Sequence, residues 1–307
     1  MRRLDVDAFE ALAAEGKLPV RVYGMLDGND PELVERWLAR GPRLGDDRLT
    51  IRAFKVFYDG SLGSRTALLR EPYADAPKAA RPAERITPER LEELARAAVA
   101  AGFQLAVHAI GDEANERVLS LYERVLQGRD AKAARLRIEH AQVLRPDHYA
   151  RMARLGVVAS VQPSHAVGDA RWAAARLGPE RLRHAYAFRT LLRAGVSVAI
   201  NSDLPGEPWR PVETLYFAVE RRDLSGRPAE RIQPDQTLTV DEALRAMTTT
   251  GAYAAFQEKE LGRLRPGARA DFVVLSADPR QARGVRLGTL QVRGVWLDGV
   301  QVEGETR

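Results

Sequence analysis

Short apolar runs alternate with amphipathic segments along most of the chain. The apolar runs are bounded by turn residues and predict strands at 19–26, 51–57, 103–109, 136–142, 157–163 and 196–202. The segments between them repeat their apolar residues at helical spacing and predict helices at 30–40, 87–102, 112–127 and 145–156, and in the stretch that runs through 187–195. Strands that alternate with helices in this way indicate a parallel sheet covered by helices.

An open doubly wound sheet and a closed (β/α)₈ TIM barrel share this alternation. No glycine-rich phosphate loop follows the first strand, and polar residues recur where successive strands end. Both features favour the barrel, because barrel active sites form at the C-terminal ends of the strands. The pattern contains about six βα units where a closed barrel has eight. We therefore expect an α/β chain that contains an incomplete TIM barrel.

The pattern changes near residue 260, where long helices give way to short strands broken by Gly and Pro. The segments 261–279 and 288–304 are typical of a small β-structure. We expect two domains, an incomplete barrel over 1–260 and the C-terminal strands of a small β-sandwich over 261–307. Because two or three strands are unstable alone, these should need partner strands.

Composition excludes several classes of protein. The 307-residue chain carries a net charge of +5, but its basic residues are scattered, which argues against a nucleic-acid partner. It has no cysteine, so disulfides and thiolate metal sites are excluded. The N-terminal residues lack the apolar core of a signal peptide, and no run approaches membrane-spanning length. We expect a cytoplasmic enzyme without a membrane partner.

Four residues with metal-ligand chemistry lie in or at the ends of predicted strands: Lys55, His108, His140 and Asp203. Taken singly, each has an ordinary explanation. A histidine can be a hydrogen-bonded core residue, Asp203 can cap a turn, and Lys55 can pair with Asp59 or Asp203. Taken together, they predict a divalent-metal site, because successive βα units direct their strand ends toward a common point. Imidazole and carboxylate donors suit zinc, and also manganese, iron or nickel.

The proposed chemistry is hydrolysis by a metal-activated water, with Asp203 placed to accept the proton of that water. His165 also follows a strand and is a candidate for substrate or secondary contacts. His148 and His184 lie in helical segments and are interpreted as surface or packing residues. No two histidines are separated by one residue, so the H-x-H pair that normally opens such a centre is absent.

Six motifs in order resemble the amidohydrolase superfamily, and most closely its amidohydrolase-3 branch, which includes N-substituted formamide deformylases. They are KVFYDGSLGSRTALL, HAIGD, RIEHAQ, VQPSH, NSDLPGEPW and RLRPGARADFVVLSADP. The resemblance implies a (β/α)₈ metallohydrolase with a small β-sandwich built from both chain ends. It also implies a small amide substrate and one or two divalent ions, most commonly zinc.

The resemblance assigns roles to individual positions. Lys55 corresponds to a carboxylated lysine that bridges two metals, and His108 and His140 to ligands of the second metal. Asp203 corresponds to a ligand and general base. Residues that match the neighbourhood of the motifs are expected to contact substrate or the metal ligands: His165, Asp59, Arg65 and Trp209.

The family's first strand with H-x-H, and the βα unit after it, have no counterpart before Met1. The leading hypothesis is that this chain is the C-terminal fragment of an amidohydrolase. One alternative is a catalytically inactive remnant or binding module. Another is one chain of a two-chain hydrolase, or a homodimer, in which the missing segment is supplied in trans. In each case the outer edges of the strands at 19–26 and 196–202 should be available for pairing.

Overall fold

The computed structural model describes residues 1–45 and 48–304. The chain forms two compact units, Met1–Ala159 and Ser160–Arg307. The boundary between the units lies within the strand β5 (Val158–Val161). The parallel strands of the first unit neighbour one another in chain order, and a separate antiparallel sheet in the second unit has three strands, also in chain order.

In the first unit, strands and helices alternate as the sequence predicts. Its four complete strands are β1 (Val22–Asp27), β2 (Leu49–Phe57), β3 (Gln104–Ala109) and β4 (Arg137–His140). Its helices are α1 (Arg3–Ala14), α2 (Pro31–Arg40), α3 (Pro88–Ala100), α4 (Asp112–Leu126), α5 (Ala131–Ala134) and α6 (Pro146–Leu155). All three strand pairs from β1 to β4 are parallel, which confirms the α/β prediction.

The strand β3 lies at the centre of this unit's core. All six of its residues are buried, as expected for a parallel strand covered on both faces. Phe54 of β2 packs against Phe103, with ring centroids 4.8 Å apart. Local signals fix the surrounding helices, since Thr87 caps α3 by accepting a hydrogen bond from the Arg90 amide. The core thus holds the strand ends in fixed register.

The outer edge of β1 already accepts backbone in a parallel arrangement. The Met1 amino group donates to the Met25 carbonyl at 2.5 Å, and the Asp27 amide donates to the Met1 carbonyl at 2.9 Å. These two bonds place Met1 opposite Leu26 in the pattern of neighbouring parallel strands. Met1 thus occupies this edge of β1 in the manner of a parallel neighbour.

The second unit contains one complete parallel strand, β6 (Ser197–Ile200), and among its described residues seven α-helices and a 3₁₀ helix, Pro234–Gln236. The helices are α7 (Pro163–Gly168), α8 (Ala170–Leu182), α9 (Phe188–Arg193), α10 (Pro211–Glu220), α11 (Val240–Met247), α12 (Thr249–Ala254) and α13 (Val285–Gly288). The helix α8 is interrupted at Gly178, whose φ of 72° breaks the helical backbone. The Asn201 amide donates to the Val161 carbonyl at 3.1 Å, which ties the end of β6 to β5.

The predicted C-terminal β-structure is present in the second unit as β7 (Phe272–Leu275), β8 (Val292–Leu297) and β9 (Val300–Gly304). Phe272 stacks on Trp296 across β7 and β8, with ring centroids 4.9 Å apart. Valine side chains on this sheet are strongly exposed, including Val273 and Val300 at 53% and 63%. The domain boundary near residue 260 stays a prediction, and residues 305–307 of the predicted second domain lie outside the described part.

The six parallel strands match the number of predicted βα units. Closure into an eight-stranded barrel stays a proposal. No helix in the described ranges is both long enough and apolar enough to span a membrane.

Candidate metal centre

Strand register brings the predicted ligands of the first unit to neighbouring positions. Lys55 on β2 pairs with Asp27 on β1 and with Ala106 on β3, and two residues later Phe57 pairs with His108. Because side chains alternate along a strand, Lys55 and Phe57 share one face. The half-buried Lys55 places its Nζ 4.4 Å from the centre of the Phe57 ring.

His108 is buried at the end of β3, and its two ring nitrogens have different surroundings. Nε2 lies 3.1 Å from the Gly60 carbonyl oxygen and 3.5 Å from Asp59 Oδ1. A carbonyl can only accept, so Nε2 carries the proton and Nδ1 keeps its lone pair. Nδ1 is buried and has no hydrogen-bond partner among the described residues. Burial and the neighbouring His140 lower the pKa of His108 to about 3, which favours the neutral imidazole.

His140 reaches the same place through an unusual backbone conformation. The β3–β4 register pairs His108 with Glu139, so a regular strand would direct His140 to the opposite face. His140 and Ala141 instead adopt left-handed φ values of 76° and 43°. The ring of His140 packs edge-on against that of His108, with centroids 4.5 Å apart. Two successive left-handed non-glycine residues are a strained feature that is typical of functional sites.

Asp59 lies beside His108 and is fully buried. Its Oδ1 accepts from the Ile110 amide at 3.0 Å, and its Oδ2 accepts from the Leu68 and Gly111 amides at 2.9 and 2.8 Å. Burial raises the pKa of Asp59 to about 6, against the opposing effect of these hydrogen bonds. Its burial and its contacts point to a structural link behind His108 rather than to substrate contact.

Two glycines allow the loop after β2 to approach the end of β3. A Cβ at Gly111 would lie 2.0 Å from the Leu68 carbonyl oxygen, and one at Gly60 would lie 2.1 Å from Thr66 Oγ1. The buried Asn115 side chain adds a second connection, because its Nδ2 donates to the Gly111 and Val143 carbonyls at 2.9 and 3.1 Å. The loops after β2, β3 and β4 are therefore joined into one support.

Arg65, the other predicted contact residue on the β2 loop, forms a bidentate ion pair. Its Nε and Nη2 donate to Asp75 Oδ1 and Oδ2 at 3.1 and 2.9 Å. Its φ of 57° is left-handed. This geometry orders the loop through Asp75.

The remaining predicted residues lie in the second unit. Asp203 follows β6 with a φ of 61°, and half of its side chain is exposed. His165, on the helix that follows β5, places Nε2 3.8 Å from Asp203 Oδ2 and 3.5 Å from Glu207 Oε1. Trp209, further along the same loop, is 68% exposed. An exposed carboxylate beside an imidazole and a second carboxylate can bind a cation or accept a proton.

A separate histidine cluster lies between α4 and α6 in the first unit. Within residues 1–45 and 48–304, the ligand atoms of Glu116, Asp147 and His148 lie within 4.8 Å of one another. Arg145 pairs with Glu116, and Arg151 Nη1 donates to both Glu116 oxygens at 3.0 and 2.9 Å. These guanidinium groups already supply the positive charge, so the geometry is that of an ion-pair network joining two helices.

Both ring nitrogens of His148 take part in this network. Nδ1 accepts from the Arg145 amide at 3.2 Å, and Nε2 lies 3.3 Å from Glu116 Oε2. Burial, followed by the charge of Arg145, lowers the pKa of His148 to about 4. The sequence interpretation of His148 as a packing residue agrees with this geometry.

The structure brings Lys55, His108 and His140 together at the strand ends of the first unit, and Asp203 with His165 in the second. Sequence reasoning overlooked two neighbours of these residues, Phe57 and Glu207. Phe57 carried a signal, because a residue two after Lys55 on a strand shares its face. Glu207 lies in the LPGEPW motif but had no spacing that linked it to His165.

Comparison with known proteins identifies the family of the chain. A model of the amidohydrolase family matches residues 1–303. The chain belongs to the amidohydrolase family. It is similar to the putative amidohydrolase YtcJ of Bacillus subtilis, with 35% identity over 95% of this chain and 54% of the relative. It is also similar to the N-substituted formamide deformylase of Arthrobacter pascens, with 36% identity over 68% of this chain and 38% of the relative.

The fold of this chain is also similar to that of a solved structure. The crystal structure of an uncharacterized metal-dependent hydrolase from Pyrococcus horikoshii OT3 aligns with a TM-score of 0.83 and 32% identity. The alignment covers 94% of this chain and 56% of the archaeal protein. The chain thus spans from under two fifths to just over half of these relatives' lengths.

Proposed function

We propose that this chain is the C-terminal part of a metal-dependent amidohydrolase that hydrolyses an amide or a related C–N bond. The observation that carries the proposal is the buried Nδ1 of His108, which has no hydrogen-bond partner in the described chain and lies beside the His140 ring. A buried nitrogen lone pair without a donor costs free energy unless it is satisfied, and a divalent metal would satisfy it. Family membership supports the same conclusion.

The donor set suits a divalent ion, and zinc is the proposed metal. We propose four ligands, the neutral imidazoles of His108 and His140 and oxygen donors from Lys55 and Asp203. When bound, the metal supplies Lewis acidity that acidifies water and polarises the scissile carbonyl. His108 contributes Nδ1, because its Nε2 is directed at the Gly60 carbonyl.

Lys55 becomes an oxygen donor only after carboxylation. Its neutral amine would add carbon dioxide, forming an N–C bond and releasing one proton, and the product carries an anionic carboxylate. Phe57 lies against the Lys55 amine and limits its hydration on one side. The modification is tested by ¹³C NMR after exposure to labelled bicarbonate. A carbamate signal is expected in the wild type and should be missing in Lys55→Met.

Asp203 is the proposed general base. It would accept a proton from the attacking water and return it to the amine that leaves. His165 Nε2 faces both the Asp203 and the Glu207 carboxylates, and would keep Asp203 from turning away from the substrate. The exposed Trp209 offers an apolar wall for a small amide substrate, and we propose that the enzyme acts in the cytoplasm.

A complete (β/α)₈ barrel is proposed for the whole enzyme. The short match to the relatives supports this, since the chain covers 54% of YtcJ. The outer edge of β1 supports it too, because it pairs with Met1 in parallel fashion. A preceding segment with an H-x-H strand would add two imidazoles, whether it belongs to the same polypeptide or to a partner.

The test is metal-dependent hydrolysis. The chain is stripped of metal, reconstituted with zinc or manganese, and assayed on a panel of N-substituted formamides and simple anilides. We expect hydrolysis that requires the metal and is lost in Asp203→Asn. The control is Asp241→Asn, an exposed carboxylate of the same unit paired with Arg280, which should retain activity.

Metal binding without hydrolysis would favour the alternatives of an inactive binding module or a two-chain enzyme. Adding the N-terminal half of the Bacillus subtilis relative separates these two alternatives, because recovery of hydrolysis supports a two-chain enzyme. Absence of both metal binding and hydrolysis would contradict the proposed function.

A further inference from the structure

Asp59 joins two loops at the position where His108 must be held. Its carboxylate accepts three backbone amides, from Leu68 on the β2 loop and from Ile110 and Gly111 after β3. All three donor–acceptor distances lie between 2.8 and 3.0 Å. Hydrogen bonds to a buried charged group are strong, so this link is costly to break.

The link also determines what faces His108. Gly60 follows Asp59 directly, so holding the Asp59 carboxylate places the Gly60 carbonyl 3.1 Å from His108 Nε2. Asp59 Oδ1 lies on the same side, 3.5 Å from that nitrogen. Two oxygens that can only accept thus surround Nε2, and the opposite nitrogen, Nδ1, lacks a partner among the residues described.

We propose that Asp59 is a positioning residue that fixes His108 in the tautomer with the proton on Nε2 and Nδ1 free to bind a metal. The part of the inference that concerns the metal rests on the proposed function. The part that concerns the tautomer does not, because it depends only on the contacts of the metal-free chain.

Asp112 provides a matched control. It is a nearby buried carboxylate that also accepts one backbone amide from the β2 loop, that of Arg70 at 3.0 Å. Its described hydrogen bond does not involve His108. A variant of Asp112 therefore perturbs the same loop without altering the oxygens that face the imidazole.

The experiment is long-range ¹H–¹⁵N NMR of the histidine rings in metal-free protein at pH 8. In the wild type and in Asp112→Asn we expect His108 to have its proton on Nε2. In Asp59→Asn we expect a mixture of His108 tautomers. The amide NH₂ group cannot accept a hydrogen bond, and we expect it to shift the Gly60 carbonyl from its position beside Nε2. Zinc affinity, measured by competition with a chelator, should fall about 10- to 100-fold in Asp59→Asn only.

Two measurements on the wild type keep the inference testable if Asp59→Asn does not fold. The Leu68, Ile110 and Gly111 amides should exchange with solvent as slowly as the β3 core. The proton of His108 should reside on Nε2. A proton on Nδ1, rapid exchange of these amides, or an Asp59→Asn protein that matches Asp112→Asn in tautomer and zinc affinity would overturn the proposal. If no variant or wild type binds zinc, the proposed function fails while the tautomer result still decides the role of Asp59.

Discussion

Two buried histidines of the first unit make the most instructive comparison in the molecule. His148 lies in a cluster whose side chains look like metal ligands, with Glu116 and Asp147 close by. His108 has one imidazole neighbour, His140, and a backbone carbonyl. By ligand type alone, the cluster around His148 would be the better metal site.

The hydrogen-bond partners reverse that conclusion. Both nitrogens of His148 have partners, and Arg145 and Arg151 neutralise the carboxylates around it. His108 has Nε2 bonded and Nδ1 buried without a partner in the described residues. A metal site needs donors whose lone pairs are still available, so the count of free donors matters more than the count of donor-type residues.

The largest expected effect that would distinguish the region around His108 from the region around His148 comes from Gly111→Ala. The new Cβ would lie 2.0 Å from the Leu68 carbonyl, and the loops behind His108 would have to separate. We expect a loss of about 3 kcal/mol in the free energy of unfolding, the upper end of the usual cost of overpacking. Urea denaturation measures it, with Gly251→Ala as control, since nothing lies within 4 Å of that position. Equal stability of the two variants would show that the support is not rigid.

Metal affinity is the next largest difference. We expect His108→Asn to weaken zinc binding by at least about 100-fold, because it removes a proposed metal ligand. Removing only the hydrogen-bond partner of a metal ligand already lowers metal affinity about 10- to 100-fold. His148→Asn should leave the affinity unchanged within error. Competition with a chromophoric chelator gives both constants. The conclusion that His108, rather than His148, offers a nitrogen to a metal would be wrong if the His148 variant lost more zinc affinity than the His108 variant.

The ion-pair network should instead respond to pH. The folded pKa of His148, about 4, lies below the unfolded value of 6.5, so the unfolded state binds more protons at pH 5. Stability is therefore lost as the pH falls, by about 2 kcal/mol from this group between pH 7.5 and 5.

The charged groups around His148 are Glu116, Asp147, Arg145, Arg151 and Asp112. The measurement is urea unfolding of wild type and His148→Gln at pH 5, 7.5 and 9, with chelator present. The difference in unfolding free energy should shrink at pH 5 and stay constant between pH 7.5 and 9. A difference that is independent of pH throughout would contradict the assignment.

The smallest effect concerns the arginines. Arg151, with 15% of its side chain exposed, bonds Glu116 and Glu123, whereas Arg154 is 63% exposed and bonds Glu123. We expect Arg151→Ala to cost about 1–2 kcal/mol, between the values for exposed and buried pairs, and Arg154→Ala about 0.5 kcal/mol or less. Denaturant midpoints measure both. If the two costs were equal, burial of the network would have no energetic consequence.

Much of the fold could be predicted because its signals are local. Apolar runs gave each parallel strand, and α4 and α6 follow the predicted helices within one or two residues. The bounds of α7 and α8 were not predicted, since α8 is interrupted at Gly178 and carries no clear amphipathic pattern. Strand closure into a barrel depends on distant pairing, which no local pattern encodes.

The site divides in the same way. Residue type and position at strand ends were enough to select Lys55, His108, His140 and Asp203 as candidates. The sequence could not give the left-handed turn at His140, which reverses the side that strand alternation predicts. It also could not pair Glu207 with His165, because contacts between loops depend on the path of the chain in three dimensions.

The sequence by itself therefore determined the α/β pattern, the family and the candidate donor residues, because these follow from local periodicity and residue chemistry. Only the tertiary structure decided which histidine has a free nitrogen. That property depends on the Gly60 carbonyl, the Asp59 carboxylate and two arginines, which long-range packing brings to the rings. Availability of a lone pair is a property of surroundings, and the surroundings come from the fold.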